Sequence, residues 1–322
     1  MGTTGAAMLL IRPVIRTNSE RKFKVHTILF FIAIVANAGG LLTPLGDPPL
    51  FLLYLKGAEF SWFFHMVPEW ALVNALLLLI YFIADTYYYK KEPLENIKFD
   101  KTNVEPLGLS GNINFIFLAG VVASVAFLNK QYLPIMAESD WAGFIREGSI
   151  VSMAVLSLLF TKKPIREANK FSWGPILEVA FLFLGIFITM IPALEYLKTN
   201  AHDLGINSNA QYYYATGSLS AFLDNTPTAL AFHQLALGMN PGGEFISGAG
   251  YVAGIDEMIL TAICLGAVLF GAMTYIGNGP NFMVKAIAEE SKIKMPSFFG
   301  YMIKFSLIVL LPVYILVQLI FL

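Results

Sequence analysis

The chain has 322 residues, of which 57% are hydrophobic and only 13% are charged, whereas about 25% are charged in an average soluble protein. A net charge of −1 argues against a nucleic-acid partner, and a single cysteine, Cys264, excludes an internal disulfide framework. Several segments approach the roughly 20 apolar residues that a membrane-spanning helix needs. We therefore predict an all-α polytopic membrane protein, which crosses the cell (inner) membrane several times.

Four clusters of Lys and Arg divide the chain and indicate its orientation. They lie at 12–24, 90–101, 162–170 and 285–294. Because basic loops stay on the cytoplasmic side of a membrane, we place all four clusters there. The polar segment 90–111 is then a cytoplasmic linker between residues 1–89 and residues 112–322. Apolar segments predict helices at 27–55, 69–89, 112–128, 147–161, 174–193, 212–237, 255–290 and 298–322.

Three apolar segments lie between the third and fourth basic clusters, and an odd number of crossings cannot return the chain to the same side. One segment must therefore enter and leave on one side. The best candidate is 209–238, because Asp224-Asn225-Thr226-Pro227-Thr228 interrupts it and leaves two limbs of about 18 Å each, enough to reach the bilayer midplane. We predict a re-entrant hairpin there, then a helix over 255–290 that is broken at Gly277-Asn278-Gly279-Pro280, and a final span.

The segment 27–55 contains a similar interruption, Thr43-Pro44-Leu45-Gly46-Asp47-Pro48-Pro49. Proline removes a backbone donor and clashes with the preceding turn, so an α-helix cannot continue through this stretch. Interrupted backbone in hydrocarbon is tolerated only where it faces protein or a watery cavity. A carboxylate at that depth costs roughly 3 kcal/mol on insertion scales. We therefore predict a broken transmembrane helix whose Asp47 faces a pathway or a partner.

The two ends of the chain resemble each other. Thr3-Thr4-Gly5-Ala6 precedes the first broken helix, and Asn225-Thr226-Pro227-Thr228-Ala229 precedes the second. One hairpin limb would leave toward the cytoplasm and the other toward the outside, so the repeats would be inverted, which is typical of secondary transporters with a midplane site. The run 2–11 is too short to span a bilayer. We therefore expect the chain to begin partway through a longer protein, without the leading helices and the entry limb of the first hairpin.

The residue types at the breaks are those that bind a hard cation. Carboxylates, hydroxyls, amides and freed backbone carbonyls all supply the oxygen ligands that Na⁺ requires. A low dielectric favours a neutral carboxylate, so such a group holds a proton or Na⁺ but hardly both. We predict that Asp47 and Asp224 bind Na⁺ and H⁺. The predicted contributors are Thr43, Asn225, Thr226, Asn278 and Asn37, and the secondary ones are Thr228, Thr3, Thr4 and His233.

Several of these residues also have a structural explanation. Asp224 and Asp47 could cap the helices that follow them, since Asp is a common N-cap residue and proline suits the first helical turn. Gly39 and Gly40 beside Asn37 could allow close helix packing. His233 could be a hydrogen-bonded core residue instead of a proton relay.

Two stretches of the sequence resemble the ion transporter superfamily. They are Asn37-Ala38-Gly39-Gly40 with Thr43-Pro44-Leu45-Gly46-Asp47, and Ser220-Ala221-Phe222-Leu223-Asp224-Asn225-Thr226-Pro227. Both are similar to motifs of NhaD-type Na⁺/H⁺ antiporters, in the branch that also holds citrate transporters. The likeness covers essentially the whole chain, although the first half of that family normally begins well before Gly2. It implies inverted repeats with re-entrant hairpins and broken helices, cation binding at Asp47 and at Asp224 with Asn225 and Thr226, and a homodimer.

We therefore predict a secondary transporter rather than an enzyme, embedded in the lipid bilayer, with no cofactor besides the transported Na⁺ and H⁺. The first interpretation is Na⁺/H⁺ antiport by alternating access, and the alternative is a cation- or proton-coupled carrier of citrate or a dicarboxylate. The acidic residues at the breaks favour the antiporter, because they attract cations and repel a multivalent anion that is not neutralised. In addition, no Arg lies in either motif to clamp a carboxylate. A membrane-embedded enzyme is a third interpretation, and the sequence offers it neither a metal-binding spacing nor a nucleophile–base pair.

Overall fold

The computed structural model describes residues 2–102, 108, 110–130, 132–138, 140–168 and 173–322. Residues 103–107 and 109 of the predicted linker, and residues 169 and 170 of the third basic cluster, lie outside the described residues. The chain forms two compact units, Met1–Asn103 with Leu184–Leu322, and Val104–Phe183.

The described residues are mostly helical. The helices of the first half are α1 (Thr3–Thr17), α2 (Val25–Ile34), α3 (Pro48–Leu55), α4 (Val67–Tyr89), α5 (Leu94–Thr102), α6 (Ile113–Phe127), α7 (Ile135–Glu138) and α8 (Phe144–Phe160). Those of the second half are α9 (Lys163–Ala168), α10 (Gly174–Thr189), α11 (Ile191–Thr199), α12 (Asn209–Ser220), α13 (Asn225–Met239), α14 (Glu257–Phe270), α15 (Gly279–Glu290), α16 (Phe298–Tyr301) and α17 (Leu311–Phe321). Short 3₁₀ segments lie at Ala38–Gly40, Phe60–Met66, Asp140–Gly143, Ala201–Leu204, Pro241–Gly243 and Gly271–Met273, and a π-helical segment lies at Met302–Leu310.

Two continuous helical stretches, Phe60–Tyr89 and Phe298–Phe321, are long and apolar enough to cross a membrane by length and composition. Shorter apolar helices cover Val25–Gly40, Ile113–Phe127 and Glu257–Met273. Val25–Gly40 ends shortly before the predicted break at 43–49, and Glu257–Met273 ends shortly before the predicted break at 277–280. Both ends agree with the Pro and Gly pattern of the sequence.

The segment 209–238 consists of two helices, α12 and α13, separated by residues 221–224. The ring centroids of Tyr212 and Phe232 are 6.4 Å apart. Because these residues lie at similar distances from the turn, the two helices run antiparallel, as a hairpin requires. The alternative of one continuous rod is therefore excluded. The entry into the membrane from one side remains a prediction.

Helix α12 packs closely on α14, and glycines make this possible. A Cβ atom at Gly217 would lie 2.5 Å from the ring of Phe270, and one at Gly266 would lie 2.6 Å from the carbonyl oxygen of Tyr213. Small residues let helix backbones approach in membrane proteins, where packing rather than hydrophobicity drives association. The hairpin is thereby held against the helix that leads to the second break.

Helices from the two ends of the chain pack on each other. Helix α1 contacts α15, and α13 contacts α3. An ion pair of 3.7 Å between Arg12 and Glu290 joins the C-terminal half of α1 to the last residue of α15. These contacts connect helices that are at least 170 residues apart in the sequence.

The first basic cluster was assigned to a loop from residue 12, and this boundary is wrong. Helix α1 extends to Thr17 with Pro13 inside it, so Arg12 and Arg16 are helical. A lone proline can be accommodated by a kink instead of a break in the helix, whereas the stretch 43–49 contains three prolines.

The loop after α1 is attached to the end of α4. Asp85 forms an ion pair of 2.8 Å with Arg21, and the carboxylate of Glu92 accepts hydrogen bonds from the backbone N–H groups of Lys22 (2.9 Å) and Phe23 (2.7 Å). Glu92 is only 6% exposed. The first basic cluster and the start of the predicted linker therefore lie together.

One detail departs from the predicted all-α fold. Two short strands, β1 (Tyr251–Val252) and β2 (Ile255–Asp256), pair antiparallel. The connecting residues Ala253 and Gly254 have φ angles of 51° and 85°, as a tight hairpin turn of type I′ requires. Period-two patterning over two residues is too short to be detected in a sequence.

In the unit Val104–Phe183, helices α6 and α8 pack on each other. The hydroxyls of Ser124 and Ser149 are 2.7 Å apart, and the side-chain oxygen of Asn114 accepts hydrogen bonds from Ser157 and Thr161. None of the predicted site residues lies in this unit.

Candidate functional site

The two helix breaks have the same local geometry. Asp47 precedes α3 with φ −147° and ψ 142°, and Asn278 precedes α15 with φ −146° and ψ 137°. Each of these two residues occupies the N-cap position, and proline follows within the first two helical positions. Proline is favoured there because its missing N–H would have no helical partner anyway.

Glycine pairs allow the chain to cross itself at both breaks. A Cβ atom at Gly46 would lie 1.9 Å from the carbonyl oxygen of Gly40, and one at Gly277 would lie 2.6 Å from that of Gly271. The two residues of each pair are six positions apart. No side chain fits at Gly46 or Gly277, so glycine is required there for close backbone approach.

Asp47 lies at the centre of the site and is 1% exposed. Its carboxylate accepts hydrogen bonds from the hydroxyl of Thr3 and from the side-chain amide of Asn225. The N–H of Thr3 donates to the carbonyl oxygen of Gly46 at 2.7 Å. Within the described part of the chain, Asp47 forms no ion pair.

The N-termini of four helices meet at this carboxylate. Thr3 and Asn225 are the first residues of α1 and α13, and Asp47 is the N-cap of α3. Asn278, the N-cap of α15, is close enough to interact with the Asp47 carboxylate. Helix N-termini carry partial positive charge and free N–H groups, so their convergence favours negative charge.

Asp224 acts on this cluster without a direct hydrogen bond to Asp47. It is half-buried and caps α13, since its carboxylate accepts a hydrogen bond from the N–H of Thr226 at 2.9 Å. The hydroxyl of Thr228 donates to the carbonyl oxygen of Asp224 at 3.0 Å. The next residue, Asn225, makes the direct contact with the Asp47 carboxylate. The capping role is thus present, and cation binding by Asp224 stays a prediction.

Three of the remaining predicted residues are buried at the site. Thr226 is 1% exposed, and its hydroxyl is 3.5 Å from the side-chain oxygen of Asn225. Asn278 donates to the side-chain oxygen of Asn37 and to the carbonyl oxygen of Ala36, both at 3.1 Å. Asn37 and Asn278 therefore bond to each other across the two breaks, although they were predicted as separate cation ligands.

Other predicted residues lie beside the cluster or away from it. Thr43 is half-buried, and its carbonyl oxygen accepts a hydrogen bond from the N–H of Gly46 at 2.9 Å. Thr4 is half-buried in the first turn of α1. His233 lies eight residues beyond Asn225 on α13, about 12 Å along the helix. Its Nε2 atom is 2.8 Å from the carbonyl oxygen of Ala253, so it belongs to a different region.

Sequence reasoning missed two polar residues of the second break. Asn281 is fully buried inside α15 and donates to the carbonyl oxygens of Gly271 (2.7 Å) and Thr274 (2.9 Å). The hydroxyl of Thr274 donates to the carbonyl oxygen of Ala221 at the hairpin turn. Thr274 precedes Gly277 by three positions, as Thr43 precedes Gly46. A position-by-position comparison of the two breaks would have identified Thr274, whereas Asn281 has no counterpart in the first break.

The described residues contain no group of three or more His, Cys, Asp and Glu side chains that could hold a metal ion. Binding of Na⁺ or H⁺ at Asp47 stays a prediction.

Comparison with known proteins gives one match. A family model described as "Putative citrate transport" matches residues 1–322, the full length of the chain. No curated protein and no solved structure matched. The match agrees with the apolar helices, the helix breaks and the predicted secondary transporter. The chain is therefore a helical membrane protein that belongs to this citrate transport family.

Proposed function

We propose that the protein carries a citrate-type carboxylate across the membrane together with Na⁺ or H⁺. The observation that supports this most is the convergence of four helix N-termini at one buried position. Oriented N–H groups and partial positive charges at helix N-termini bind carboxylates without a formal cation. The substrate carboxylate would then need no arginine in the two motifs, because backbone N–H groups at the helix N-termini would donate hydrogen bonds to it.

The cation is needed because the site already contains negative charge. Asp47 is buried, and the charge of Asp224 acts on it. A multivalent anion next to an ionised Asp47 would be repelled strongly in this low dielectric. A proton or Na⁺ on Asp47 removes that repulsion and releases the hydroxyl of Thr3 and the amide of Asn225. Substrate and cation would therefore bind together, which is the basis of coupled transport.

An inverted repeat with the site at its centre accounts for the internal resemblance. The glycine pairs have the same spacing in both breaks, and the cap residues Asp47 and Asn278 have nearly equal φ and ψ. Each hairpin limb contacts the broken helix of the other half. In this arrangement, the hairpins are re-entrant and transport proceeds by alternating access to the midplane.

Na⁺/H⁺ antiport is the second candidate, and one observation favours it. Asp47 has oxygen and amide neighbours but no cationic partner among the described residues. Such a carboxylate could exchange a proton for Na⁺ without any organic substrate. Sequence reasoning ranked this candidate first, and membership of a citrate transport family reverses the order.

Transport in proteoliposomes tests the proposal. We expect uptake of labelled citrate that depends on an inward gradient of Na⁺ or H⁺ and stops when the gradient is collapsed. The same vesicles, loaded with a pH-sensitive dye, report Na⁺-driven proton movement in the absence of citrate. Proton movement driven by Na⁺ alone, without any citrate uptake, would refute the proposal in favour of antiport.

A further inference from the structure

A network of three buried amides connects the two helix breaks. Asn37 follows α2, Asn278 caps α15 and Asn281 lies in the first turns of α15, and all three are at most 3% exposed. We propose that Asn281 is a positioning residue, which fixes the second break to the first and so holds Asp47 in its place. This inference rests on the proposed transport function, because it assigns Asn281 to the same site.

Asn281 makes contacts with both breaks. Its side-chain N–H groups donate to the carbonyl oxygens of Gly271 and Thr274, which are freed where α14 ends. Its side-chain oxygen accepts a hydrogen bond of 2.8 Å from the amide of Asn37. One of the three hydrogen bonds of this side chain therefore crosses to a residue 244 positions away, the other two attach α15 to the end of the preceding helical segment, and none lies within α15 itself.

Asn37 transmits the connection to the Asp47 side of the site. Its second N–H donates to the carbonyl oxygen of Ile32 at the end of α2. Its side-chain oxygen accepts from Asn278 at 3.1 Å, and its carbonyl oxygen accepts from the N–H of Gly40 at 2.9 Å. Gly40 lies against Gly46, the residue before Asp47. The connection thus runs from the carbonyls of the second break through Asn281, Asn37 and Gly40 to the backbone next to Asp47.

Geometry makes the network specific. A Cβ atom at Gly271 would lie 2.9 Å from the side-chain oxygen of Asn37, so this glycine leaves room for the amide. A buried amide or carbonyl that loses its partner is costly, and hydrogen bonds are directional, so the network has one stable arrangement. Removing Asn281 leaves the Gly271 and Thr274 carbonyls and one N–H of Asn37 without partners. Among these amides, only the hydrogen bonds that Asn278 donates to Asn37 and Ala36 would then join the two breaks, so we expect the breaks to separate more readily.

Hydrogen exchange read by mass spectrometry tests the connection without any substrate. Asn281→Ala is expected to raise exchange in residues 44–55 of the first break as well as in residues 271–285. Asn74→Ala is the matched control, because Asn74 is also buried and donates within its own helix to the carbonyl oxygen of Trp70. The control should not raise exchange in 44–55. Increased exchange confined to 271–285 in Asn281→Ala, or an equal rise over the whole chain, would overturn the inference.

Transport kinetics test the positioning role. Asn281→Ala should raise the citrate KM roughly tenfold, the loss expected when buried hydrogen bonds that orient a site are removed, and change the maximal rate less than twofold. Asn37→Ala should act similarly, and the double variant should be no worse than either, because the variants break one network. A fall in maximal rate with unchanged KM would contradict positioning.

Failure of the proposed function can be told apart from failure of this inference. If wild-type protein takes up no citrate, yet Asn281→Ala still loosens residues 44–55, the connection between the breaks stands and the assigned substrate is wrong. If Asn281→Ala does not insert stably, Asn281→Ser, which retains a hydroxyl donor, should show a smaller exchange increase in the same segment. No change there in the serine variant would also refute the connection.

Discussion

Because the backbone at Gly46 lies directly against that of Gly40, we predict that a side chain at position 46 strongly destabilises the protein. The Gly46→Ala variant places a Cβ atom 1.9 Å from the carbonyl oxygen of Gly40, whereas real Cβ atoms essentially never approach within 3.0 Å. The Cβ atom and the carbonyl oxygen would have to move apart by more than 1 Å. Neither atom moves when a side chain changes its rotamer, so the backbone itself would have to shift. Overpacking costs about 1–3 kcal/mol in protein cores, and we expect the upper end of that range here.

The second break supplies a matched control for this variant. Gly279 begins α15 beside Asn278, and a Cβ atom there would meet nothing within 4 Å. Gly279→Ala should therefore be neutral or stabilise the protein by up to about 1 kcal/mol, through helix propensity. Thermal unfolding of the purified protein should show a midpoint lower by roughly 6–12 °C in Gly46→Ala, at about 2–4 °C per kcal/mol. Equal midpoints in the two variants would refute the crossing.

Three further predictions concern the site and the loop after α1. Asn225→Ala should raise the citrate KM at least roughly fivefold, because a hydrogen bond to a buried carboxylate is lost, and an unchanged KM in uptake assays would contradict this. Asp47→Asn should leave citrate uptake driven by its own gradient but abolish its dependence on Na⁺ and pH, and retained dependence would exclude Asp47 from coupling. For Glu92, burial alone raises the pKa, but hydrogen bonds from the N–H groups of Phe23 and Lys22 outweigh it and hold the pKa below its ordinary value of 4.5. The stability that Glu92 contributes is therefore complete above that value and lost as the pH falls through the lower folded-state pKa. Glu92→Gln should lower the unfolding midpoint at neutral pH and match wild type in strong acid, as checked by thermal unfolding over a pH series.

The sequence was informative wherever backbone chemistry decides the structure. The prolines and glycines between Thr43 and Pro49, and between Asp224 and Thr228, predict interrupted helices, and α3 and α13 begin at Pro48 and Asn225. The predicted spans agree with the observed helices within a few residues, because long apolar segments have no alternative to a helix in a membrane.

Pairing between distant residues could not be read from the sequence. Asn281 lies within a helix, where an asparagine carries no local signal, and its partner Asn37 is more than 240 positions away. Asp224 was predicted together with Asp47. Its carboxylate caps α13, and Asn225 makes the direct contact with Asp47. Capping and cation binding use the same residue types, so the sequence pattern alone does not distinguish the two roles, and cation binding by Asp224 stays a prediction.

The two ends of α1 are held with very different strength, and this difference indicates where the site can open. At its N-terminus, Thr3 is bonded to Asp47 and to Gly46 in a buried network. In its C-terminal half, Arg12 and Glu290 form an ion pair of 3.7 Å in which the Glu290 side chain is 62% exposed, and such pairs contribute about 0–1 kcal/mol. We therefore expect α1 and α15 to separate at the Arg12 end first. Glu290→Gln should leave the unfolding midpoint within about 2 °C of wild type but raise hydrogen exchange in residues 10–17. A large fall in the midpoint, or unchanged exchange in this segment, would mean that this end does not control opening.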